Sequence, residues 1–313
     1  MPANTAHSVS QKVEIIAEEH WARKGNVDLS LFRKFAPEAQ ADEPRRVLFL
    51  VHGSSASSRT AYDLDAGEHG EYSVMNVFAR WGYDVWTMDH EGYGRSTRTD
   101  GFSGIRDNVE DLKAAMPVVE AATGQSRLAM FGTSSGAIRA GAFCNACPER
   151  VDRLGMAAFP WTGQNAPSLI KRRLRLAEWQ SANTRPIDQD YYKSMLTRDT
   201  TGLTIPELPE LLYRTEIGNG GGTLPNGTYV DMSIYLPLVD PTIITCPVLM
   251  LRSEHDGITT EADMLGFYKS LATKDKQLVT MSGHTHNMTF GVNRHRFWYV
   301  LRNFLEFPPR IDV

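Results

Sequence analysis

The sequence predicts an α/β fold: a mostly parallel central sheet flanked by helices, with a cap inserted after the sixth strand. Two observations predict the sheet. Short, unbroken apolar runs are typical of strands buried on both faces, and segments of helical periodicity lie between most of them. A third observation predicts the cap, because the long interval between Phe159 and Pro247 contains no comparable apolar run. Strand and helix alternating in this way require right-handed crossovers and hence a mainly parallel sheet.

The first 40 residues differ from the rest and predict an antiparallel hairpin. Two alternating segments, Val13–Trp21 and Val27–Phe35, flank a turn at Lys24-Gly25-Asn26. The buried-strand runs that follow are Arg46–Val51, Tyr83–Met88, Arg127–Phe131, Arg153–Phe159, Pro247–Leu251 and Lys276–Met281. The segments of helical period are Tyr72–Trp81, Ile105–Ala122, Ala137–Ala146, Thr260–Leu271 and Asn293–Leu305.

The interval without buried strands predicts a folded cap over residues 161–240, with the core formed by residues 1–160 and 241–313. Aromatic residues such as Trp161, Trp179 and Tyr191 give the cap apolar mass to bury, which a disordered linker lacks. A basic, helix-like stretch spans Lys171–Trp179. We expect its basic residues to form the solvated face of a cap helix, with an acidic substrate group as the alternative partner. Those basic residues are Lys171, Arg172, Arg173 and Arg175, and the expected apolar positions are Leu169, Leu174 and Leu176.

Composition excludes several classes of protein. The 33 basic and 37 acidic residues give a net charge of −4, which is not the clustered basic face that nucleic-acid binding requires. Three cysteines are too few for a disulfide framework, so Cys144 and Cys147 are expected to be packing residues. Neither a secretory signal nor an apolar run long enough for a membrane span is visible, which favours a cytoplasmic protein. The oligomeric state stays open, and a homodimer is one alternative.

One motif gives the strongest indication of a catalytic residue. The run Arg127–Phe131 leads directly into Gly132-Thr133-Ser134-Ser135-Gly136, and a helical pattern follows. This is a G-x-S-x-G sequence in a strand–turn–helix setting, where a sharp turn lifts the serine above the sheet. Flanking glycines are needed because a Cβ there would clash. Ser134 is therefore the candidate nucleophile.

An oxyanion needs backbone donors near that serine. Val51-His52-Gly53-Ser54-Ser55 ends the first buried strand, and loops at the carboxyl ends of neighbouring strands supply such donors. We predict that the amides of Ser54 and Ser135 polarise the substrate carbonyl.

A serine nucleophile needs a histidine base and an acid that orients it. Two later strand ends supply candidates. Glu254 and Asp256 follow the run that ends at Leu251, and His284 and His286 follow the run that ends at Met281. The candidates therefore follow one another along the chain in the order serine, acid, histidine. The residues alone leave two candidates for the acid and two for the base.

These residues together resemble the α/β-hydrolase fold superfamily, and specifically a serine esterase-like member with an inserted cap. The resemblance covers nearly the whole chain except the cap. Four motifs carry it: His52-Gly53-Ser54-Ser55, Asp89-His90-Glu91-Gly92-Tyr93-Gly94-Arg95-Ser96, the turn around Ser134, and Glu254-His255-Asp256-Gly257. The resemblance implies Asp256 as the acid, with Glu254 as the alternative. Some members place the histidine directly after a glycine and others use Gly-x-x-His. The helix start at residues 293–298 looks more like the second group, which implies His286, with His284 as the alternative.

The predicted function is hydrolysis of a carboxylic ester of a small or medium-sized substrate through an acyl-enzyme. Serine at position 134 argues against the haloalkane dehalogenase and epoxide hydrolase branches, whose resemblance would require aspartate there. No cofactor or metal is expected: His284-Thr285-His286 has no third ligand of recognisable spacing, and no phosphate-binding loop is present. Lactone opening, carbon–carbon bond hydrolysis and acyl transfer use the same triad and remain alternatives, as does a non-catalytic ligand-binding homologue.

Overall fold

The computed structural model describes residues 13–37 and 45–311, which fold around an eight-stranded sheet. Its strands are β1 (Ile16–Lys24), β2 (Val27–Phe35), β3 (Val47–Val51), β4 (Asp84–Met88), β5 (Leu128–Thr133), β6 (Val151–Ala157), β9 (Val248–His255) and β10 (Lys276–Thr285). The spatial order is β1-β2-β4-β3-β5-β6-β9-β10. From β4 to β10 every neighbouring pair is parallel, and β1 and β2 join antiparallel. The predicted α/β fold is confirmed.

Helices cover both faces of this sheet. Those of the core are α1 (Ser58–Tyr62), α2 (Val74–Arg80), α3 (Ile105–Thr123), α4 (Ser135–Ala146), α10 (Glu261–Ser270) and α11 (Arg294–Glu306). Between β6 and β9 lie α5 (Pro167–Arg173), α6 (Leu176–Ser181), α7 (Gln189–Thr197), α8 (Leu208–Gly218) and α9 (Gly227–Ile234). The same interval holds a small antiparallel pair, β7 (Thr184–Pro186) and β8 (Thr223–Pro225).

The N-terminal hairpin forms as predicted. Gly25 takes φ +57°, and the two-residue loop Gly25-Asn26 sets Lys24 opposite Val27, as expected for a tight hairpin turn. β1 begins at Ile16 and continues to Lys24, three residues later at each end than the predicted segment. β2 then pairs with β4, so the hairpin extends one edge of the sheet.

Alternate side chains of the central strands belong to two separate cores. In β3, Val47, Phe49 and Val51 pack in the core that includes α3 and α4, while Leu48 and Leu50 pack in the core that includes α2 and α11. Both faces of this strand are therefore buried, which explains its unbroken apolar sequence.

The insertion between β6 and β9 packs onto the rest of the chain through a third apolar cluster. Tyr192, Leu208 and Leu212 of the insertion meet Tyr72 and Phe290 from core loops. The assignment of residues 161–240 to a separate cap subdomain stays a prediction.

One expectation for the insertion is wrong. The basic stretch is not a single helix, since α5 ends at Arg173 and α6 begins at Leu176. Leu174 falls in the break and is 83% exposed, so it is not an apolar position of the insertion's core.

The cysteines and helices of the described residues add two observations. Cys144 packs in the core with its Sγ 3.8 Å from that of Cys246, Cys147 is half-buried against the same cluster, and all three thiols are free. No helix within residues 13–37 and 45–311 is long and apolar enough to cross a membrane.

Candidate active site

Ser134 occupies the turn between β5 and α4 with a strained backbone. Its φ and ψ are 57° and −128°, a conformation that non-glycine residues rarely adopt. The Ser134 amide donates to the Ala157 carbonyl at 2.8 Å, which ties the turn to β6. The side chain stands at the carboxyl edge of the sheet, at the start of α4, where the helix dipole favours developing negative charge.

The two glycines of the motif allow this turn because backbone passes directly over both. A Cβ on Gly132 would lie 2.3 Å from the Gly136 carbonyl oxygen. A Cβ on Gly136 would lie 2.2 Å from the carbonyl oxygen of Val51 at the end of β3. The G-x-S-x-G spacing therefore reflects close backbone packing around Ser134.

Asp256 and His286 form a hydrogen-bonded pair at the ends of β9 and β10. His286 Nδ1 lies 3.0 and 3.1 Å from the two Asp256 carboxylate oxygens, and Asp256 is fully shielded from solvent. Because a carboxylate can only accept, Nδ1 carries the proton and Nε2 is left as an acceptor. The amides of Ile258 and Thr259 donate to Asp256 Oδ1 at 2.8 and 3.1 Å, which holds the carboxylate in place.

The two alternative residues lie elsewhere. Glu254 is half exposed and accepts a 2.7 Å hydrogen bond from the Gly283 amide. His284 is buried, with Nδ1 3.0 Å from the Ser282 carbonyl and Nε2 3.1 Å from the Asn293 carbonyl. Burial lowers the pKa of His284, which favours the neutral ring. Both nitrogens of His284 thus face backbone oxygens, whereas His286 Nε2 has no hydrogen-bond partner within the described ranges.

Ser134 and His286 line the same cavity beneath the insertion. The cavity walls combine the loop after β3, the loop after β10 and the insertion helices. The lining residues are Gly53, Ser54, Ser55, Ala56, Ala61, Thr133, Ser134, Arg172, Met195, Arg198, Ile258, His286, Asn287, Met288, Thr289 and Phe290. A second cavity, of about 850 Å³, shares Ser55, Arg172, Met195 and Arg198 with the first and extends under the insertion.

The amide of Ser54 has a partner that the sequence did not predict. It donates to the Ser135 hydroxyl at 2.9 Å, and both residues are buried. The structure therefore brings the two predicted oxyanion donors together, with the Ser135 side chain bonded to one of them.

Three residues beside the site were not singled out by sequence reasoning. Asp199 accepts a hydrogen bond from the Gly257 amide at 3.1 Å and pairs with Arg198, so it links the insertion to the loop that carries Asp256. Arg185 is buried and donates to the Ser54 carbonyl. These are single charged residues in the insertion without a motif, and no local signal could have found them.

Within the described ranges, no group of three or more His, Cys, Asp or Glu residues is placed to bind a metal ion.

The fold and the arrangement of these side chains define a hydrolase of the α/β-hydrolase superfamily. The family model described as serine aminopeptidase, S33, matches residues 42–204, just over half of the 313 residues. The chain belongs to this family. No curated protein sequence matches it significantly.

Solved structures show the same fold at low sequence identity. The 2-hydroxy-6-oxo-6-phenylhexa-2,4-dienoate hydrolase from Rhodococcus sp. strain RHA1 is 16% identical with a TM-score of 0.66, covering 94% of this chain and 99% of its own. A thermophilic esterase from Thermogutta terrifontis is 16% identical with a TM-score of 0.65, covering 92% and 98%. An epoxide hydrolase from Vigna radiata is 14% identical with a TM-score of 0.66, covering 93% and 98%. At these identities the likeness concerns the fold alone.

Proposed function

We propose that the protein is a serine hydrolase that cleaves a carboxylic ester through an acyl-enzyme formed on Ser134. The observation that carries the proposal is that Ser134 and His286 line one cavity while His286 Nδ1 is bonded to buried Asp256. A strained serine, an imidazole with one free nitrogen and a buried carboxylate are the parts that acyl transfer needs.

In the proposed reaction Ser134 Oγ attacks the ester carbonyl as His286 Nε2 takes its proton. Asp256 holds the imidazole tautomer and stabilises the imidazolium. The imidazolium then protonates the leaving alcohol as the carbon–oxygen bond breaks. Water attacks the acyl-enzyme, His286 accepts the water's proton, and Ser134 regains a proton as the carboxylic acid leaves.

The tetrahedral oxyanion is proposed to bind the amides of Ser135 and Ser54. Ser135 is the first residue of α4, so its amide lies at a helix N-terminus. The Ser54 amide is bonded to the Ser135 hydroxyl in this structure, so its proposed role as a donor to the oxyanion requires that this hydrogen bond be given up.

The first test is hydrolysis of a chain-length series of p-nitrophenyl esters by the parent and by Ser134→Ala. We expect Ser134→Ala to lower kcat by about 10⁴-fold or more with an unchanged unfolding midpoint, because the nucleophile is lost and the fold is kept. An amino-acid p-nitroanilide is assayed alongside, since the family description names an aminopeptidase. Equal ester turnover by parent and variant would contradict the proposal, as would turnover of the anilide alone.

The second test compares the two histidines as a matched pair. We expect His286→Ala to lower kcat by about 10³-fold or more and His284→Ala by less than about 10-fold, because His286 lines the cavity while both nitrogens of His284 face backbone carbonyls. Both variants are assayed below their unfolding midpoints. The reverse ranking would identify His284 as the base.

Acyl transfer to an alcohol uses the same acyl-enzyme as hydrolysis. Product analysis with and without a competing alcohol separates the two, because a transferase forms a new ester while a hydrolase forms the free acid.

A further inference from the structure

The cavity under the insertion is rich in arginine, although the whole chain has a net charge of −4. Five basic and three acidic residues line it. The basic residues are Lys171, Arg172, Arg175, Arg185 and Arg198, and the acidic ones are Glu178, Asp199 and Asp256. Pro167, Trp179, Met195 and Tyr229 supply apolar and aromatic surface to the same cavity. Such a chamber offers positive charge beside an apolar wall.

The acidic residues of this cavity already have partners. Glu178 pairs with Arg175 at 2.8 Å, Asp199 pairs with Arg198 at 3.1 Å, and Asp256 bonds to His286. Of the four arginines, Arg172 and Arg185 are left, and neither has a carboxylate within ion-pair distance among residues 13–37 and 45–311. Their positive charge is therefore not balanced by a nearby carboxylate.

Arg172 stands between the two cavities and lines both, so it faces the space that Ser134 and His286 also line. Its guanidinium lies 3.8 Å from the centre of the Tyr229 ring, and its Nη1 lies 3.8 Å from the Met232 sulfur. These are weak contacts for a group with five N–H donors. Burial lowers the pKa of Arg172, and the neighbouring charges of Arg185 and Arg198 lower it further.

Arg185 is fixed behind Arg172 and adds to the positive potential. It donates to the Pro225 carbonyl at 2.6 Å and to the Tyr191 hydroxyl at 3.3 Å, and its guanidinium lies 3.9 Å from the centre of the Tyr229 ring. Burial raises the pKa of Tyr229, but Arg185 and Arg172 outweigh it and bring the value down to about 7. A potential that stabilises a phenolate also stabilises another anion.

We propose that the substrate carries a carboxylate that Arg172 binds, so that the enzyme acts on carboxylate-bearing esters. This inference rests on the proposed ester hydrolysis. Arginine suits the role because its planar fork donates two parallel hydrogen bonds to a carboxylate. Arg185 supports it as a second, immobile charge, and the Tyr229 and Trp179 rings border the hydrocarbon part of the substrate.

The test uses two pairs of esters that differ only in charge. The first pair carries the carboxylate on the acyl side: the 4-nitrophenyl monoester of adipic acid and 4-nitrophenyl 6-methylheptanoate. The second carries it on the alcohol side: 4-carboxyphenyl butanoate and 4-isopropylphenyl butanoate. In each pair an isopropyl group replaces a carboxylate of similar shape. In each pair, kcat/KM for the charged ester is divided by kcat/KM for the neutral ester. This charged-to-neutral ratio is measured for the parent and for Arg172→Met, and comparing the two proteins cancels the intrinsic reactivity of the esters.

We expect Arg172→Met to lower the charged-to-neutral ratio by about 10- to 100-fold in at least one pair, because a charge-assisted bidentate contact is lost. The pair that responds shows which side of the ester carries the carboxylate. Arg172→Lys should keep part of the preference, since the charge remains without the fork.

Arg214→Met is the matched control. It makes the same change of charge on α8, where the side chain is 75% exposed and lies 3.9 Å from the Glu210 carboxylate. We expect the parental ratios in this variant. A uniform fall in both ratios here would mean that the net charge of the protein, and not Arg172, sets the preference.

The outcomes separate this inference from the proposed function. If Ser134→Ala is inactive and Arg172→Met leaves both ratios unchanged, ester hydrolysis stands and the carboxylate site is wrong. If Ser134→Ala matches the parent on all four esters, the proposed function itself fails.

Discussion

At the scale of single residues, Gly136 shows how closely the backbone packs around the turn that carries Ser134. The backbone of Val51 and His52, at the end of β3, passes within 2.8 Å of where a Cβ would be, and a backbone carbonyl cannot rotate away as a side chain can. The strained φ of Ser134, two residues earlier, depends on this close approach of α4 to β3. Strain at the nucleophile is thus maintained by packing between neighbouring elements.

We expect Gly136→Ala to lower the free energy of unfolding by about 3 kcal/mol or more, because overpacking here forces the backbone apart. Urea denaturation measures the change. Gly218→Ala is the control, since Gly218 ends α8 with nothing within 4 Å of an added Cβ. That substitution should be neutral or stabilise by about 0.5–1 kcal/mol. Equal effects of the two substitutions would contradict the steric explanation.

At the scale of elements, one ion pair docks the N-terminal hairpin against α3. Lys24, the last residue of β1, reaches the carboxylate of Asp111 on α3 and also pairs with Glu91 at 2.8 Å. Asp111 is fully buried and also lies 3.1 Å from His90 Nδ1. Burial raises the pKa of Asp111, but His90 and Lys24 outweigh it and lower the value to about 2. The carboxylate is therefore charged at neutral pH.

We expect Lys24→Met to lower the free energy of unfolding at pH 7 by about 3 kcal/mol, because Asp111 then loses its cation inside the protein. Lys113→Met on the same helix is the control. Lys113 pairs with Glu110 on the surface, where both side chains are exposed and solvent screens the pair, so the change in the free energy of unfolding should be much smaller. If the two variants unfold at the same urea concentration, the hairpin does not depend on this ion pair.

A second feature at this scale separates the two candidate histidines. The pairing of β10 with β9 is regular to Met281 and resumes only at Thr285, and Gly283 takes φ +71° inside this irregularity. Because of this change in strand register, His284 lies inside the protein and His286 lies at the cavity. No periodicity in the sequence predicts such a local break in register.

For the molecule as a whole, a group of titratable side chains is buried in the core: His52, His90, Asp111 and Arg139. The His90 amide donates to His52 Nε2 at 3.2 Å, and Arg139 donates to the His52 carbonyl at 2.7 Å. Burial lowers the pKa of His90 to about 4, with Arg139 acting in the same direction and Asp111 opposing it. Burial likewise lowers the pKa of His52 well below its usual value. Both rings are therefore neutral in the folded protein near neutral pH.

This arrangement predicts loss of stability in mild acid. Between pH 6.5 and 4 the unfolded chain binds a proton at His90 that the folded protein does not, so the free energy of unfolding falls as the pH falls, by up to about 3 kcal/mol for this residue. Asp111 adds to the loss only below pH 3.8, where the unfolded carboxylate is protonated.

Urea titrations across this range measure the slope of stability against pH. His90→Gln should flatten the slope, whereas the same change at exposed His295 should leave it as in the parent. An unchanged slope in His90→Gln would assign the acid sensitivity to other groups.

The sequence by itself determined the strand order along the chain, the hairpin and the position of Ser134, because periodicity and turn residues report burial and backbone geometry locally. It also placed Asp256 and His286 at the ends of neighbouring strands. Only the tertiary structure decided that Leu174 is exposed, that Ser54 bonds to Ser135 and that Arg172 and Arg185 have no carboxylate partner among the residues that the structure describes. The Ser54–Ser135 bond joins residues far apart in the chain, so it leaves no local pattern. The other two features depend on how the elements of an insertion without regular periodicity pack.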